Sequence, residues 1–207
     1  MERPSYLTWL IEEKGVALDN GEVIQCYKLD YSDDDETLNA WAIHLRRHYI
    51  SDEELIESCG ELEISPEEYL KQFVIPQKGK DRMAGTARSN GISEILFSDL
   101  LEFIYGLEVP RCRMDNMSGT TVSEHGTDVI GYKFHNPDKT PDTKDRLVTV
   151  EVKAGLTQNT AKVIEKAVID ANKDEYRMAQ SLDYMRKKLK RMNKQAEAED
   201  MPCGFTA

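Results

Sequence analysis

The stretch Leu147-Val-Thr-Val-Glu-Val-Lys153 is the strongest strand candidate in the sequence, because β-branched residues dominate it. Side chains alternate along a strand, so Glu151 and Lys153 are expected to project from one face. Val150 and Val152 occupy the other face, which we expect to lie in the core. A carboxylate and an ammonium on so apolar a strand are costly to place there unless they have a function.

A second strand is predicted just upstream, over Asp128-Val-Ile-Gly-Tyr-Lys-Phe134, and a polar connection from His135 to Asp145 separates the two. If they pair as an antiparallel hairpin, the start of one lies beside the end of the other. Asp128 then comes near Glu151. Two carboxylates, with the backbone carbonyl of Val152 alongside, offer the hard oxygen ligands that Mg²⁺ takes.

A helix is predicted before these strands, from about residue 90 to residue 105. Its predicted buried stripe consists of Ile92, Leu96, Leu100 and Phe103. Glu94 lies off that stripe and is a candidate third carboxylate ligand, although a polar helix position needs no functional explanation.

These residue types predict phosphodiester hydrolysis, with Asp128, Glu151 and Lys153 as catalytic residues. A divalent ion, Mg²⁺ or Mn²⁺, lowers the pKa of its bound water and polarises a phosphate. Lys153 is expected to orient the attacking water and to offset the growing negative charge. His125 and Gln158 are possible substrate contacts, with a turn residue and a polar position at a helix start as the alternative interpretations.

The Glu94 helix, Gly126-Thr-Asp128 and Val150-Glu-Val-Lys153 together resemble the PD-(D/E)xK nuclease superfamily, whose shared core is an α-β-β-β-α-β unit. More narrowly, residues 93–96, 126–131 and 150–155 resemble the nuclease subunit of the Hachiman anti-phage defence system. The resemblance covers roughly residues 85–175. It implies a DNase that a partner helicase holds in check until phage DNA processing is sensed.

The sequence departs from that superfamily in two ways. Thr127 stands where the superfamily motif has proline, and no clear fourth strand follows the helix predicted over residues 159–172. That helix is expected to bury Val163, Ile164, Ala167 and Val168. A last helix, residues 175–194, carries an apolar seam at Met178, Leu182, Met185, Leu189 and Met192.

We therefore predict an α/β protein with a PD-(D/E)xK core, in which a mixed sheet is flanked by helices. An N-terminal α/β region for partner binding covers residues 1–76, and residues 77–89 form a linker rich in charges and glycine. The core, with its C-terminal basic helix, covers residues 90–207. Capped helix starts are predicted at Ser51 and Ser65.

The charge of the chain bears on its partners. A net charge of −11 excludes a strong general DNA binder, since affinity for DNA rests on cations. Five basic residues of the last helix, Arg186, Lys187, Lys188, Lys190 and Arg191, either contact a DNA backbone or form a solvated face. The alternative to a nuclease is an inactive scaffold subunit that binds a partner through its acidic first region and its Met178–Met192 seam.

The location of the protein is also predicted from composition. No apolar run reaches the roughly 18 residues that span a bilayer, and the first residues lack the features of a signal peptide. The four cysteines are widely spaced and form no disulfide framework. We therefore expect a cytoplasmic protein.

Overall fold

The computed structural model describes residues 2–77, 82–111, 127–155, 161–174 and 178–202. The chain divides into two compact units, Met1–Arg47 and His48–Ala207. The first unit is shorter than the predicted accessory region of residues 1–76, whose later helices belong to the second unit.

The first unit contains a 3₁₀ helix (Ser5–Trp9), the strands β1 (Leu10–Ala17) and β2 (Val23–Leu29), and the helix α1 (Asp35–Arg47). The strands pair antiparallel, with an irregularity between Glu13 and Val16. The sequence predicts a strand over residues 21–31 and a helix over residues 36–50. β2 and α1 confirm these two elements, whereas β1 was not predicted. The ring of Tyr6 stacks on that of Trp41 with centroids 4.7 Å apart, which ties the 3₁₀ helix to α1.

The second unit opens with two helices whose starts are fixed by serine caps. α2 (Asp52–Leu62) begins after Ser51, whose hydroxyl accepts from the Glu54 N–H at 3.0 Å. α3 (Pro66–Tyr69) begins with a reciprocal capping box between Ser65 and Glu68 and continues as a π-helical turn, Leu70–Val74. Both predicted helix starts are confirmed.

A long helix, α4 (Arg82–Asp99), follows and continues as a π-helical turn, Leu100–Ile104. Residues 82–89, predicted to be part of a linker, are therefore helical; one internal glycine costs a helix only about 1 kcal/mol, and Ala84 is buried. The predicted buried stripe is only partly confirmed. Leu100 is buried as predicted, but Ile92, Leu96 and Phe103 are only half-buried, and the buried residues on α4 include Ile95 and Asp99 instead.

The sheet of the second unit is the antiparallel pair β3 (Val129–Lys133) and β4 (Arg146–Val150). Its register runs from Val129 opposite Val150 to Lys133 opposite Arg146, which confirms the predicted hairpin. β4 ends at Val150 rather than at Lys153, because the pairing with β3 stops there. Glu108 adds one bridge to Tyr132, through two backbone hydrogen bonds of 2.7 and 2.9 Å.

Both faces of β3 are buried. Ile130 and Tyr132 pack against the helix α6 (Met178–Arg191). Val129 packs with Leu101 and Leu107 on the other face. Gly131 lies on that same face, where an added Cβ would come within 3.0 Å of Leu107 and 3.1 Å of Leu101.

The chain then forms α5 (Ala161–Asp174), α6 and α7 (Gln195–Asp200). The predicted seam of α6 is buried in the core of this unit: Leu182, Met185 and Leu189 pack on β3 and α7, with Met192 at the edge. On α5 the prediction is partly wrong. Val163 and Ala167 are half-buried, but Ile164 and Val168 are exposed because the helix turns only one narrow face inward.

The α/β class is thus confirmed, while the predicted mixed sheet is not found among the described residues. Both described sheets are antiparallel pairs, since parallel pairing needs a further strand after a crossover. Of the described residues after Gly155, those in regular structure are all helical. In the part of the chain that is described, no helix has the length and apolarity to cross a membrane.

Candidate metal centre

Asp128 stands directly before β3 and closes the open end of the β3–β4 hairpin. Its Oδ2 accepts a hydrogen bond of 2.8 Å from the N–H of Val152. The next backbone pair after Val129 and Val150 would be Asp128 and Glu151. The side chain of Asp128 therefore continues the pairing where the backbone ladder ends. This hydrogen bond holds the Asp128 carboxylate beside Glu151 and Val152.

The segment before Asp128 is fixed from the side of α6. Thr127 is buried, and its N–H donates to the hydroxyl of Ser181 at 3.3 Å. Val129, on the other side of Asp128, lies in the core. The backbone is thus anchored on both sides of the carboxylate, as a metal ligand requires.

Glu94 and Asp128 line the same pocket, which has a volume of about 380 Å³ when its open mouth is included. Glu94 is half-buried on α4, next to the buried Ile95. Burial, and secondarily the negative charge of Glu94, raises the pKa of Tyr49 to about 12, while Arg88 acts in the opposite direction. Glu94, from α4, and Asp128, before β3, thus bring two half-buried carboxylates to one pocket.

Glu151 and Lys153 form a second cluster, beyond Asp128 along the chain. The Lys153 ammonium pairs with the Glu151 carboxylate and, at 3.0 Å, with Oδ2 of Asp170 on α5. Burial lowers the pKa of Lys153, but hydrogen bonds to these two carboxylates outweigh it, so this pKa is raised above its ordinary value. Glu151 and Lys153 are partly buried and do not line the pocket of Glu94.

Asp170 was not predicted, although the sequence contains a signal for it. Val163, Ala167 and Asp170 follow the spacing i, i+4 and i+7, and all three are half-buried. An acidic residue on the inward face of an amphipathic helix is unusual and indicates a partner.

Arg111 was also missed, and it forms one wall of the pocket of Glu94 and Asp128. Its guanidinium lies 2.6 Å from Asp99 Oδ1 and 2.7 Å from Glu102 Oε2. A third nitrogen lies 2.6 Å from Nε2 of His48. Asp99 is fully buried, so this network anchors α4 and the chain after Leu107 rather than offering a free cation.

His125 and Gln158 lie outside the described residues. Val152, predicted to offer its carbonyl, buries its side chain with Leu101 and Val129, and its N–H faces Asp128.

The basic helix is less available than its sequence indicates. Arg186 donates to the carbonyl of Pro202 at 2.5 Å and to that of Met201 at 3.3 Å. Lys187 pairs with Asp183 at 2.6 Å, and Lys188 is buried. Most of these basic side chains are therefore buried or contact other groups of the second unit.

The residue types fit a hard divalent cation. Three carboxylates, of Glu94, Asp128 and Glu151, come from a helix and from the two strand ends, and each is partly shielded from water. Glu94 and Asp128 share a pocket that Glu151 does not line, and the ligand atoms of the three do not all lie within 4.8 Å of one another. Carboxylate and carbonyl oxygens are the ligands that Mg²⁺ and Mn²⁺ prefer. Lys153 adds one ammonium directly beside Glu151.

Comparison with known proteins gives one result. The sequence profile of the HamA family matches residues 4–201, which is nearly the whole chain. No curated protein and no solved structure matches the sequence. The chain therefore belongs to the HamA family, a component of the Hachiman anti-phage defence system.

Proposed function

We propose that this chain is a metal-dependent DNA nuclease, the effector of its defence system, and that a helicase partner controls it. The observation that carries the proposal is the hydrogen bond from Val152 N–H to Asp128, which fixes the Asp128 carboxylate at the strand end that carries Glu151. Glu94 supports it, because it lines one pocket with Asp128. Placing these charges on a buried hairpin is costly without such a role.

Asp128 and Glu151, with Glu94 and the Val152 carbonyl, would hold Mg²⁺ or Mn²⁺. When bound, the ion supplies a more acidic water and a polarised phosphate. Lys153 would orient the attacking water and balance negative charge on the phosphate. Its ion pairs with Glu151 and Asp170 favour the charged form of Lys153, so we expect this side chain to act as a cation.

Of the two partner-binding surfaces proposed for the scaffold alternative, the Met178–Met192 seam is not accessible. Leu182, Met185 and Leu189 of the seam are buried within the unit, so they are not available to a partner. The acidic first region remains for that purpose in either interpretation.

The charge of the chain supports a partner that delivers DNA. The net charge is −11, and much of the basic helix is committed to internal contacts. A helicase that already holds DNA would remove the need for strong binding by this chain.

The test is cleavage of plasmid and linear DNA by the chain, alone and with its helicase partner, in Mg²⁺, Mn²⁺ or EDTA. Glu151→Gln and Lys153→Ala should each reduce metal-dependent cleavage by at least about 100-fold. Lys187→Ala is the matched control, because Lys187 also pairs with an aspartate but is exposed on α6. Wild-type activity in Glu151→Gln would refute the nuclease assignment.

Metal binding separates the nuclease from the scaffold. Calorimetric titration with Mn²⁺ should give a site that Asp128→Asn weakens strongly. A scaffold has no reason to retain such a site, so a folded chain that binds no Mn²⁺, alone or with its partner, supports the scaffold.

A further inference from the structure

We propose that Asp170 is a positioning residue that takes over the Lys153 ammonium when Glu151 turns its carboxylate to the divalent ion. The inference rests on the proposed nuclease function and adds a residue that the motif does not contain. Asp170 is not itself a metal ligand in this account.

The geometry places Lys153 between two carboxylates. Its ammonium contacts Glu151, two residues away, and Asp170, on α5, at 3.0 Å. All three side chains are partly shielded, with exposed fractions of 13% for Glu151, 28% for Lys153 and 33% for Asp170. An ion pair in such a setting is less screened than one on the open surface.

A divalent ion and the ammonium compete for Glu151. Both are cations, and they repel each other when they share one carboxylate. Without a second acceptor, binding of the ion would have to strip Lys153 of its anionic partner. Asp170 provides that acceptor on a separate element, so Lys153 stays beside the site while Glu151 is used elsewhere.

The position of Asp170 on α5 fits this role. It lies on the half-buried face with Val163 and Ala167, whereas Ile164 and Val168 on neighbouring faces are exposed. α5 packs against β4, so the carboxylate comes from a helix and does not depend on the strand end that holds Glu151.

The first test is the Mn²⁺ affinity of Asp170→Asn, measured by calorimetry on the full chain, in complex with its helicase partner if the chain alone binds no Mn²⁺. Loss of a supporting partner of this kind typically weakens metal affinity about 10- to 100-fold, and we expect a loss in that range. Asp183→Asn is the control, because it removes the same group from the exposed Lys187 pair and should leave the affinity unchanged.

A double-mutant cycle distinguishes the handover from the simple loss of a nearby charge. In a Lys153→Met background, Asp170→Asn should change the Mn²⁺ affinity by no more than about twofold, since no ammonium remains to be held. An equal loss in both backgrounds would mean that Asp170 acts only through its charge, and it would overturn the inference.

Rescue and folding complete the experiment. Asp170→Glu keeps the carboxylate and should recover most of the affinity, while thermal melting checks that every variant is folded. If Glu151→Gln leaves Mn²⁺ affinity unchanged, the nuclease proposal fails and this one with it. If Glu151→Gln weakens binding and Asp170→Asn does not, only the role of Asp170 is refuted.

Discussion

The two antiparallel hairpins of this protein end in different ways. Beyond the last pair of β1 and β2, the N–H of Asp30 donates to the carbonyl of Trp9 at 2.7 Å, so backbone simply extends the ladder. Beyond the last pair of β3 and β4, the acceptor is the side-chain carboxylate of Asp128. Only the second ending fixes an acidic group in place.

The hairpins also differ in burial. Ile24 on β2 is 42% exposed, whereas Ile130 on β3 is 1% exposed and lies in the main core. A hairpin can thus form without two covered faces, but the hairpin whose end carries Asp128 and Glu151 is the covered one. The core supplies the rigidity that positions Asp128 and Glu151.

The largest difference in stability is expected between the loss of a buried ion pair and the loss of an exposed one. Asp99→Ala leaves the buried Arg111 with one carboxylate fewer and should lower the free energy of unfolding by about 3–5 kcal/mol. Asp30→Ala removes the exposed partner of Lys28 beside the first hairpin and should leave the urea midpoint unchanged. Equal shifts in urea denaturation would contradict the comparison.

The central residues of the hairpins provide the next test. Ile130→Ala opens a cavity in the core and should cost about 2–5 kcal/mol. Ile24→Ala on the exposed hairpin should cost less than about 1 kcal/mol. Thermal and urea unfolding of the two variants measure this, and a cost at Ile24 that matches that at Ile130 would show that the first hairpin is covered in solution.

The strand endings can be compared by hydrogen exchange. Asp128→Ala removes the acceptor of the Val152 N–H, should cost about 1–3 kcal/mol, and should speed exchange of that amide. Asp128→Asn keeps a carbonyl acceptor and should preserve most of the protection. Asp30→Ala should not change exchange at residue 30, because its N–H bonds to backbone. Unchanged protection of Val152 in Asp128→Ala would refute the closure by a side chain.

The smallest effect is expected at the anchor before Asp128. Ser181→Ala removes the acceptor of a long hydrogen bond, 3.3 Å from the Thr127 N–H, and should cost about 0.5–1.5 kcal/mol. Thr8→Ala, which removes an exposed hydroxyl contact to the Ser5 carbonyl in the first unit, is the control and should melt like wild type. A larger loss than in Asp128→Ala would reverse this ranking.

Local patterns were sufficient to predict much of the second unit. Strand patterns predicted β3 and β4, and the antiparallel hairpin expected from them brought Asp128 beside the end of β4. The α6 seam was predicted because its apolar residues repeat along one helix face. In each case the signal lies within about a dozen neighbouring residues.

The missed features depend on contacts between distant parts of the chain. Strand β1 carries Glu12, Glu13 and Lys14 in a row, so its sequence has no strand alternation and only pairing with β2 fixes it. Arg111 meets His48 across 63 positions. Asp170 meets Lys153 only because α5 folds back on β4. No period in the sequence encodes such distances.

The commitment of the basic helix to internal contacts has a consequence for counterions. Arg186 and Lys187 already satisfy carbonyl and carboxylate oxygens, and Lys188 is buried, which leaves Lys190 and Arg191 as the exposed cations of the predicted group. A face that displaces about two condensed ions gives a slope near −2 for log affinity against log salt concentration. The proposed helicase partner, if it holds many phosphates, would have a far steeper slope. If the chain is the proposed nuclease of such a complex, we expect the ionic strength at which cleavage fails to be set by the partner and not by this chain.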